Sequence, residues 1–445
     1  MKPPLSPPPL HALLQGHHDR LAGILAADAY TALPRGRYHH WDKLRHLPPP
    51  DGLNAEQWWL GVKMARGALY RQTPLSTPSG SPFVYALPDP VLEALHRIDQ
   101  RAAGRLVASE PVVNAETRDR YILNSLMEEA ITSSQLEGAA TTRQVAADMI
   151  RAGRGPRNRD ERMILNNFRA MASIRELRNE PLSVERIVEL HRALTEETLS
   201  SPEMAGQLQT AGMKRVAVSD NTTGRVVHIP PPAEQLPARM ERMVAFANGA
   251  ALEGEGFTHP LVRAIILHFW LAYDHPFEDG NGRTARALFY WSMLRQGYWL
   301  FEFISLSSII RRAPVRYARA FLETETDGND LTYFILHQLD CIDRALVALD
   351  DYLARKTAEL RGVEERLARR NDLNPRQLAL LGHALRHPEH VYTIRSHQTS
   401  HGVAYATARA DLLELAELGL LEPGRRGRAY VYHVPRDLEA RLRAT

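Results

Sequence analysis

The feature that most constrains the fold of this chain is a short polar turn between two apolar helical stretches. Residues 275–286 of the turn read HPFEDGNGRTAR. Ahead of the turn, Leu261 to Tyr273 is nearly all apolar, and Pro260 is a residue typical of a first helical position. Behind it, Thr284 to Gln296 has the helical period and is followed by Gly297, which suits a C-cap. The sequence therefore predicts helix, turn and helix.

The turn has the composition of a polyphosphate site. Glycines let a backbone approach a ligand closely, and the N–H groups of Gly280, Asn281 and Gly282 would converge at the start of the second helix. Asp279 stands just before them, and Mg²⁺ prefers one or two carboxylates together with phosphate oxygens. We therefore expect Asp279 to hold Mg²⁺ beside a bound nucleotide.

Three further side chains in this stretch suit phosphoryl chemistry. Arg283 and Arg286 are three residues apart, on one face of the helix, where guanidiniums can bind phosphates in bidentate fashion. His275, at the end of the preceding helix, is a candidate general base for a hydroxyl nucleophile. Taken singly, each residue fits a surface helix or an ordinary turn. Their order between two apolar helices favours a functional site.

This stretch resembles the motif of the Fic family, His-Pro-Phe-x-(Asp/Glu)-Gly-Asn-Gly-Arg-x-x-Arg, at every specified position. Most members of that family transfer AMP from ATP to a Ser, Thr or Tyr hydroxyl of a protein. The resemblance implies a role for each matching residue: His275 deprotonates the target hydroxyl, Phe277 anchors the loop, Asp279 binds Mg²⁺, Gly280, Asn281 and Gly282 form the anion hole, Arg283 binds phosphate and Arg286 holds the γ-phosphate. Glu278 occupies the variable position and receives no role.

An earlier segment resembles the inhibitory motif of the same family, (Ser/Thr)-x-x-x-Glu-(Gly/Asn). It is filled here by Ser133, Glu137 and Gly138. In the family this glutamate pairs with the second arginine of the core motif, here Arg286, and blocks placement of the γ-phosphate. From composition alone, Glu137-Gly138 is the end of a helix, with Thr142 or its neighbour capping the next one.

Between these two motifs, the sequence predicts a β-hairpin. Valines on either side of a loop-forming stretch, from Val216 to Ile229, have the pattern of two short strands. The resemblance implies that this hairpin is a flap that lines the target segment by strand addition. Leu208 and Gln209 depart from the family, whose members often carry an aromatic residue and an arginine after the glycine at this place. A surface hairpin without that role is the alternative.

The C-terminal stretch, residues 371–445, has the pattern of a small separate domain. An amphipathic helix at Ala404 to Leu418 is followed by a hairpin with a Gly- and Arg-rich tip at Arg425, Arg426 and Arg428. This arrangement resembles a winged helix-turn-helix, in which a helix enters DNA and the hairpin contacts its backbone. Winged helices also serve as dimerisation or protein-docking modules, so both DNA and protein remain possible partners.

Composition limits the remaining classes. Lys and Arg number 55 against 52 Asp and Glu, so the global charge gives no argument for nucleic acid. One cysteine, Cys341, excludes an internal disulfide and fits a reducing compartment. The N-terminus does not resemble a secretory signal, and the most apolar helix is too short to span a bilayer. We expect a cytoplasmic protein with no membrane partner.

These observations predict a mainly α fold with four parts. They are an N-terminal helical extension (1–114), a Fic catalytic core with the inhibitory helix and the flap (115–349), a helical connector (350–370) and the winged helix (371–445). Tyr317 fits either a stacking partner for a nucleotide base or a core residue. The oligomeric state is open, and a homodimer is compatible with the sequence.

The predicted function is that of an autoinhibited protein adenylyltransferase that uses ATP and Mg²⁺. Its target is a hydroxyl of another protein or of the chain itself. Family behaviour leaves open that the same site also removes AMP. The alternative is a DNA-binding regulator that uses the site as a nucleotide sensor.

Overall fold

The computed structural model of the chain describes residues 2–26, 28–102, 115–219, 224–249, 256–368, 370, 372–426 and 429–444. Most of these residues are helical, and the sheets are small, so the prediction of a mainly α fold is confirmed. The chain divides into two compact units. The first comprises Met1–Arg105 with Ser125–Ala345, and the second comprises Leu106–Asn124 with Leu346–Thr445.

The N-terminal part of the first unit combines short helices with a hairpin. Its elements are α1 (Leu10–Gly16), α2 (Leu21–Ala26), α3 (Trp41–Leu44), α4 (Ala55–Gly67), β1 (Arg71–Ser76), β2 (Pro82–Tyr85) and α5 (Asp89–Ala102). Strands β1 and β2 pair in antiparallel fashion. Arg66 of α4 is fully buried and donates to the Tyr333 hydroxyl, 2.8 Å away, and to the backbone oxygens of Ala32 and His39. A buried guanidinium is stable only with such partners, so these bonds fix the N-terminal residues against the rest of this unit.

The central part runs from the inhibitory segment to the end of a long helix. Its elements are α6 (Ala115–Leu136), α7 (Arg143–Arg151), α8 (Arg159–Leu177), α9 (Val184–Thr195), β3 (Val218–Ser219), β4 (Val226–His228), α10 (Leu236–Ala247), α11 (Pro260–Asp274), α12 (Asn281–Arg295), α13 (Leu306–Arg312), α14 (Pro314–Thr326) and α15 (Thr332–Ala368). Strands β3 and β4 pair in antiparallel fashion as the predicted hairpin, and residues 220–223 of its turn lie outside the described residues. Its role as a flap stays a prediction.

The centre of the first unit is α11, which explains why this segment is so apolar. Nearly all of its side chains are buried. The helix starts with Pro260 at its first position and with the His259 ring accepting the N–H of Leu261. It packs most extensively against α12, whose side chains from Arg283 to Met293 are likewise buried. Burial of both helices on most sides makes the turn between them a fixed point of the fold.

The second unit contains four short helices and a small sheet after α15. Its elements after α15 are α16 (Pro375–Arg386), β5 (Val391–Thr393), α17 (Ile394–His401), α18 (Tyr405–Glu417), β6 (Glu422–Arg426), β7 (Ala429–His433) and α19 (Leu438–Ala444). Strand β7 lies between β5 and β6, antiparallel to both. Buried leucines of α16 and α18 and Ile394 of α17 pack with Tyr392 and Tyr432 of the sheet. The order of elements is the one that a winged helix has, and that assignment stays a prediction.

The helical connector predicted at residues 350–370 is continuous with the helix before it, and the two form α15. The β1–β2 hairpin, which has Thr77 in its turn, was not predicted from the sequence. Asp330 does accept the N–H of Thr332 at the start of α15. Within the described residues, no helix is both long and apolar enough to cross a membrane.

Candidate active site

Charged side chains hold the end of α11, where the turn to α12 begins. Asp274, the last residue of α11, is fully buried and pairs with Arg239 at 2.6 Å. The carbonyl oxygens of Asp274 and His275 both accept hydrogen bonds from the guanidinium of Arg215, at 2.6 and 3.0 Å. A helix C-terminus leaves such carbonyls without partners, and a cation there is favourable. Arg215 therefore fixes the backbone on which His275 stands.

His275 adopts a left-handed backbone conformation, with φ of 46°. This is uncommon for a residue with a side chain, and such residues concentrate at functional sites. Its Nδ1 lies 3.3 Å from the oxygen of Ala272. Burial lowers the pKa of His275 to about 4, so the ring is neutral at pH 7. With the proton on Nδ1, Nε2 carries the lone pair of a general base.

His191 of α9 is a residue that sequence analysis missed. It is fully buried and stacks on Phe277, with ring centroids 3.7 Å apart and planes within 3°. Its Nε2 lies 2.8 Å from the oxygen of Asp279, and its Nδ1 lies 3.0 Å from the nitrogen of Gly206. Because the Gly206 N–H is a donor, Nδ1 accepts and Nε2–H donates. Burial lowers the pKa of His191 to about 4, in keeping with this neutral tautomer.

The motif residues of the turn itself are brought together as expected. Phe277 is fully buried, in the position of an anchor. The side chain of Asn281 accepts the N–H of Phe277 at 3.0 Å and donates to its oxygen at 2.9 Å, which closes the loop. Gly280 has φ of +82°, and a Cβ there would overlap Thr195. Only glycine fits this position at no steric cost.

The two arginines of the motif differ in their partners. Arg283 is buried and donates from Nη1 to the oxygen of Leu194 at 2.8 Å. Its Nε and Nη2 are buried without a hydrogen-bond partner among the described residues. Unpaired buried donors cost free energy, and a ligand at this site would satisfy them.

Arg286, by contrast, is paired with the inhibitory segment. Its Nη2 lies 2.7 Å from Oε1 of Glu137, and its Nε donates to the hydroxyl of Ser133 at 2.9 Å. The Glu137 carboxylate lies against Gly282, where a Cβ would overlap it. Gly138 follows with φ of +94°, which ends the helix α6. Glu137 therefore occupies both the Arg286 guanidinium and the space over the glycine turn.

The Asp279 carboxylate is placed where it could bind a metal ion. Its side chain is 47% exposed, with Oδ1 accepting the N–H of Gly280 at 2.6 Å and Oδ2 lying 3.7 Å from the guanidinium of Arg159. Among the described residues, no group of three or more His, Cys, Asp or Glu could hold a metal ion. A single accessible carboxylate beside a phosphate site fits Mg²⁺, which keeps waters and takes phosphate oxygens as its other ligands.

The β3–β4 hairpin lies beside the turn between α11 and α12. His228 of β4 bonds with Glu325 at 2.8 Å and with the oxygen of Tyr273 at 2.7 Å. Val226 and Ile229 are exposed. Gln209, at the position where the sequence departs from the family, is buried and receives a hydrogen bond from Arg215.

Tyr317 is half-buried in an aromatic cluster. Its hydroxyl lies 2.9 Å from Nε2 of His268, and its ring lies edge-on to Phe321. Burial raises the pKa of Tyr317 to about 12. These contacts describe its place without a nucleotide, and the role of base partner stays a prediction.

Comparison with known proteins identifies the same region. Residues 181–293 match the family described as the Fic/DOC family. The chain is 29% identical over 180 residues to the "Protein adenylyltransferase Fic" of Nematostella vectensis, and the alignment covers 40% of this chain and 36% of that protein. It is 26% identical over 222 residues to the "Protein adenylyltransferase fic-1" of Caenorhabditis elegans, and that alignment covers 49% of this chain and 40% of that protein. The matched stretch thus spans about two fifths of these relatives.

Among solved structures, the chain resembles a Fic family protein from Desulfovibrio desulfuricans. The TM-score is 0.51 with 18% sequence identity, over 79% of this chain and 98% of that one. At this identity the similarity shows the fold alone.

Proposed function

We propose that this chain, whose residues 181–293 form a Fic domain, transfers AMP from ATP to a Ser, Thr or Tyr hydroxyl of a protein and is held inactive by Glu137. The observation that carries the proposal is the 2.7 Å ion pair between Glu137 and Arg286, beside the glycine turn and the neutral His275. A surface turn of no function would not need a buried arginine, a left-handed histidine and a glycine under a carboxylate in one place.

The nucleotide would bind at the start of α12. The N–H groups of the Gly280–Gly282 turn and the positive end of the helix suit phosphate oxygens. The two unpartnered nitrogens of Arg283 add charge-assisted donors at the same place. Arg286 would hold the γ-phosphate once Glu137 leaves.

The proposed reaction is an in-line displacement at the α-phosphorus. The target hydroxyl gives its proton to Nε2 of His275 while its oxygen bonds to the α-phosphorus. The bond between that phosphorus and the bridging oxygen to the β-phosphate breaks, and pyrophosphate leaves. The anion-binding groups stabilise charge on the transferred group, which is the main contribution in phosphoryl transfer.

Asp279 would hold Mg²⁺ in this site. When bound, the ion neutralises phosphate charge and orients the polyphosphate. The residues of the chain keep their own tasks: Phe277, Asn281 and His191 fix the turn that carries Asp279, and Arg215 fixes His275.

The inhibitory contact gives a direct test. Wild type, Glu137→Gly and Glu137→Gly/His275→Ala are incubated with labelled ATP and Mg²⁺, and self-modification is followed by intact mass. We expect one or more AMP additions in the single variant, at a rate at least about tenfold above wild type, since an ion pair that excludes the γ-phosphate is gone. The double variant should show none.

Two outcomes would contradict this proposal. Equal modification of wild type and Glu137→Gly would remove the inhibitory role of Glu137. ATP binding without modification of the chain or of any protein in a cell extract, in every variant, would favour a nucleotide sensor.

Removal of AMP by the same site is part of the proposal. A carboxylate at the position of Glu137 can accept a proton from water, whose oxygen would then bond to the phosphorus of a bound AMP–protein linkage. The bond between that phosphorus and the side-chain oxygen of the protein would break, the side-chain oxygen would take up a proton through Nε2 of His275, and AMP would leave. Self-modified Glu137→Gly protein, freed of ATP and mixed with wild type, should lose AMP, and mixing with Glu137→Gln should leave it in place.

A second candidate function, DNA binding, is favoured by a stretch without acidic residues that covers α17 and the start of α18. Between Glu389 and Asp411 the sequence has no acidic residue, and Arg395 and Arg409 are exposed there. Exposed arginines in a segment without carboxylates suit a phosphate backbone. Retention of the full chain on duplex DNA should weaken with salt, and Arg395→Ala/Arg409→Ala should lower it. Arg436→Ala, which removes an exposed arginine elsewhere in the second unit, is the control.

A further inference from the structure

We infer that Arg159 is a third arginine of the nucleotide site, which pairs with the metal-binding carboxylate of Asp279 in the empty enzyme and changes partner to a phosphate when the metal–nucleotide complex binds. The inference rests on the proposed function, since it assigns Asp279 to the metal. It adds a positioning residue that lies outside the 275–286 motif, on the first turn of α8.

The geometry ties Arg159 to both sides of the site. Its Nη2 lies 3.7 Å from Oδ2 of Asp279, and its Nε donates to the oxygen of Thr198 at 2.6 Å. Thr198 lies three residues after Thr195, whose methyl group touches Gly280 of the turn. The guanidinium therefore lies between the turn after α9 and the loop that precedes α12.

The backbone of Arg159 is fixed at the start of its helix. Asn158 caps α8 by accepting the N–H of Glu161 at 2.9 Å. The next residue, Asp160, accepts the N–H of Ala140 at 2.8 Å, in the segment that follows the inhibitory Gly138. A fixed backbone with a half-exposed head group leaves the side chain able to turn from one partner to another.

Because of their charges, Arg159 and a divalent metal ion cannot both bind the Asp279 carboxylate. The Asp279 carboxylate already accepts the N–H of Gly280 through Oδ1, so Oδ2 is the oxygen that remains for a cation. Arg159 contacts that oxygen, and a divalent ion bound there would repel the guanidinium. Phosphate oxygens brought in by a nucleotide offer Arg159 a new anion, with stronger charge-assisted hydrogen bonds than a pair at 3.7 Å.

This arrangement predicts effects of opposite sign on two ligands. Removing the Arg159 charge should tighten the binding of a divalent metal alone, because a competitor for Asp279 is lost. The same change should weaken the binding of ATP with metal, because a phosphate partner is lost. An ion pair with a structural role alone would not produce both effects.

The test uses the full chain with Glu137→Gly, which opens the nucleotide site, and adds Arg159→Gln. Binding of Mn²⁺ alone, as a spectroscopic stand-in for Mg²⁺, is followed by electron paramagnetic resonance, and MgATP binding is followed by calorimetry. We expect Mn²⁺ affinity to rise and MgATP affinity to fall, each by about threefold to tenfold. Arg159→Lys keeps the charge and should restore weak Mn²⁺ binding.

Arg162→Gln is the matched control. Arg162 lies one turn later on the same helix and pairs with Glu197 at 2.6 Å, so its removal costs a similar surface pair without touching Asp279. It should change neither affinity. If the Glu137→Gly parent binds MgATP but Arg159→Gln does not shift both affinities in the stated directions, the inference is wrong and the proposed function stands. If the parent binds no MgATP, both are wrong.

Discussion

At the scale of single residues, the protonation state of His275 has a measurable consequence. Burial lowers its pKa to about 4, so the ring stays neutral far below the pH at which an exposed histidine gains its proton. The base is active in its neutral form, so its contribution is complete above this pKa and is lost only as the pH falls through it. AMP transfer by Glu137→Gly should therefore be flat between pH 8 and pH 5.5.

The measurement is the initial rate of transfer at saturating MgATP across that range, with circular dichroism at each pH to show that the protein is folded. A histidine of unshifted pKa, near 6.5, would lose about 90% of its neutral form at pH 5.5. A rate that halves near pH 6.5 would contradict this prediction. It would mean that water reaches His275 during turnover and returns its pKa to the ordinary value, or that another group accepts the proton.

The site also contains residues that sequence analysis could not have found. His191 and Arg215 make their contacts with the turn from α9 and from the segment before β3, at sequence distances of 60 residues or more. In the sequence, His191 is one histidine of an amphipathic helix and Arg215 one arginine of a polar segment. Motif residues were predictable because they are contiguous; their supports were not, because long-range packing selects them.

At the scale of elements, the same distinction holds. The helix–turn–helix around residue 280 was predictable because two apolar stretches have clear caps, at Pro260 and at Gly297. The hairpin of β1 and β2 was not predicted, although buried residues stand at alternate positions in each strand. These buried residues are Thr73 and Leu75 in β1 and Phe83 and Tyr85 in β2. Its strands are short, and β1 is polar and contains a proline. Strand β2 is held by backbone hydrogen bonds to the segment before α15, which no local pattern predicts.

In the second unit, the packing of α16, α17 and α18 should depend on Asp411 of α18. This buried carboxylate accepts hydrogen bonds from Arg376 at 2.8 Å, from Asn374 at 2.7 Å and from His397 at 3.0 Å. Burial opposes its ionised form, but these bonds outweigh that effect and lower the pKa of Asp411 to about 2. The carboxylate therefore joins α18 to the starts of α16 and α17.

Replacing Asp411 with Ala should destabilise this unit by about 2–4 kcal/mol, because it leaves His397 and part of Arg376 buried without their acceptor. Hydrogen exchange of peptides from residues 375–418 in the full chain measures the loss. Asp437→Ala removes an exposed pair with Arg441 in the same unit and should leave the protection unchanged, because exposed pairs contribute little. Equal effects of the two variants would show that the buried network contributes no more than a surface pair.

At the scale of the whole molecule, the two units differ in their content of buried neutral histidines. Besides those of His275 and His39, burial lowers the pKa of four histidines of the first unit: His40, His191 and His337 to about 4, and His268 to about 3. Unfolding returns each ring to a pKa near 6.5. Below pH 6.5 the unfolded chain therefore binds protons that the folded chain does not, and the free energy of unfolding falls with falling pH.

The sign and size of this effect give a prediction for acid stability. The stabilising contribution of these histidines is complete above pH 6.5 and declines toward pH 4, by about 1.4 kcal/mol for each ring in the first pH unit. Their sum at pH 5.5 is on the order of 5 kcal/mol. His228 acts in the opposite direction: although burial opposes its charged form, hydrogen bonding and charge from Glu325 raise its pKa, so it reduces the loss.

Calorimetric melting of the full chain from pH 7.5 to 5.5 tests this prediction, and we expect the midpoint of the first unit to fall by on the order of 10 °C. His337→Gln removes one of the four rings without breaking a short hydrogen bond, so its melting midpoint should depend less on pH than that of wild type. His46→Gln, at an exposed position, should match wild type at every pH. A midpoint that is constant down to pH 5.5 would mean that these rings are protonated in the folded protein, and the neutral His275 of the proposed mechanism would lose its support as well.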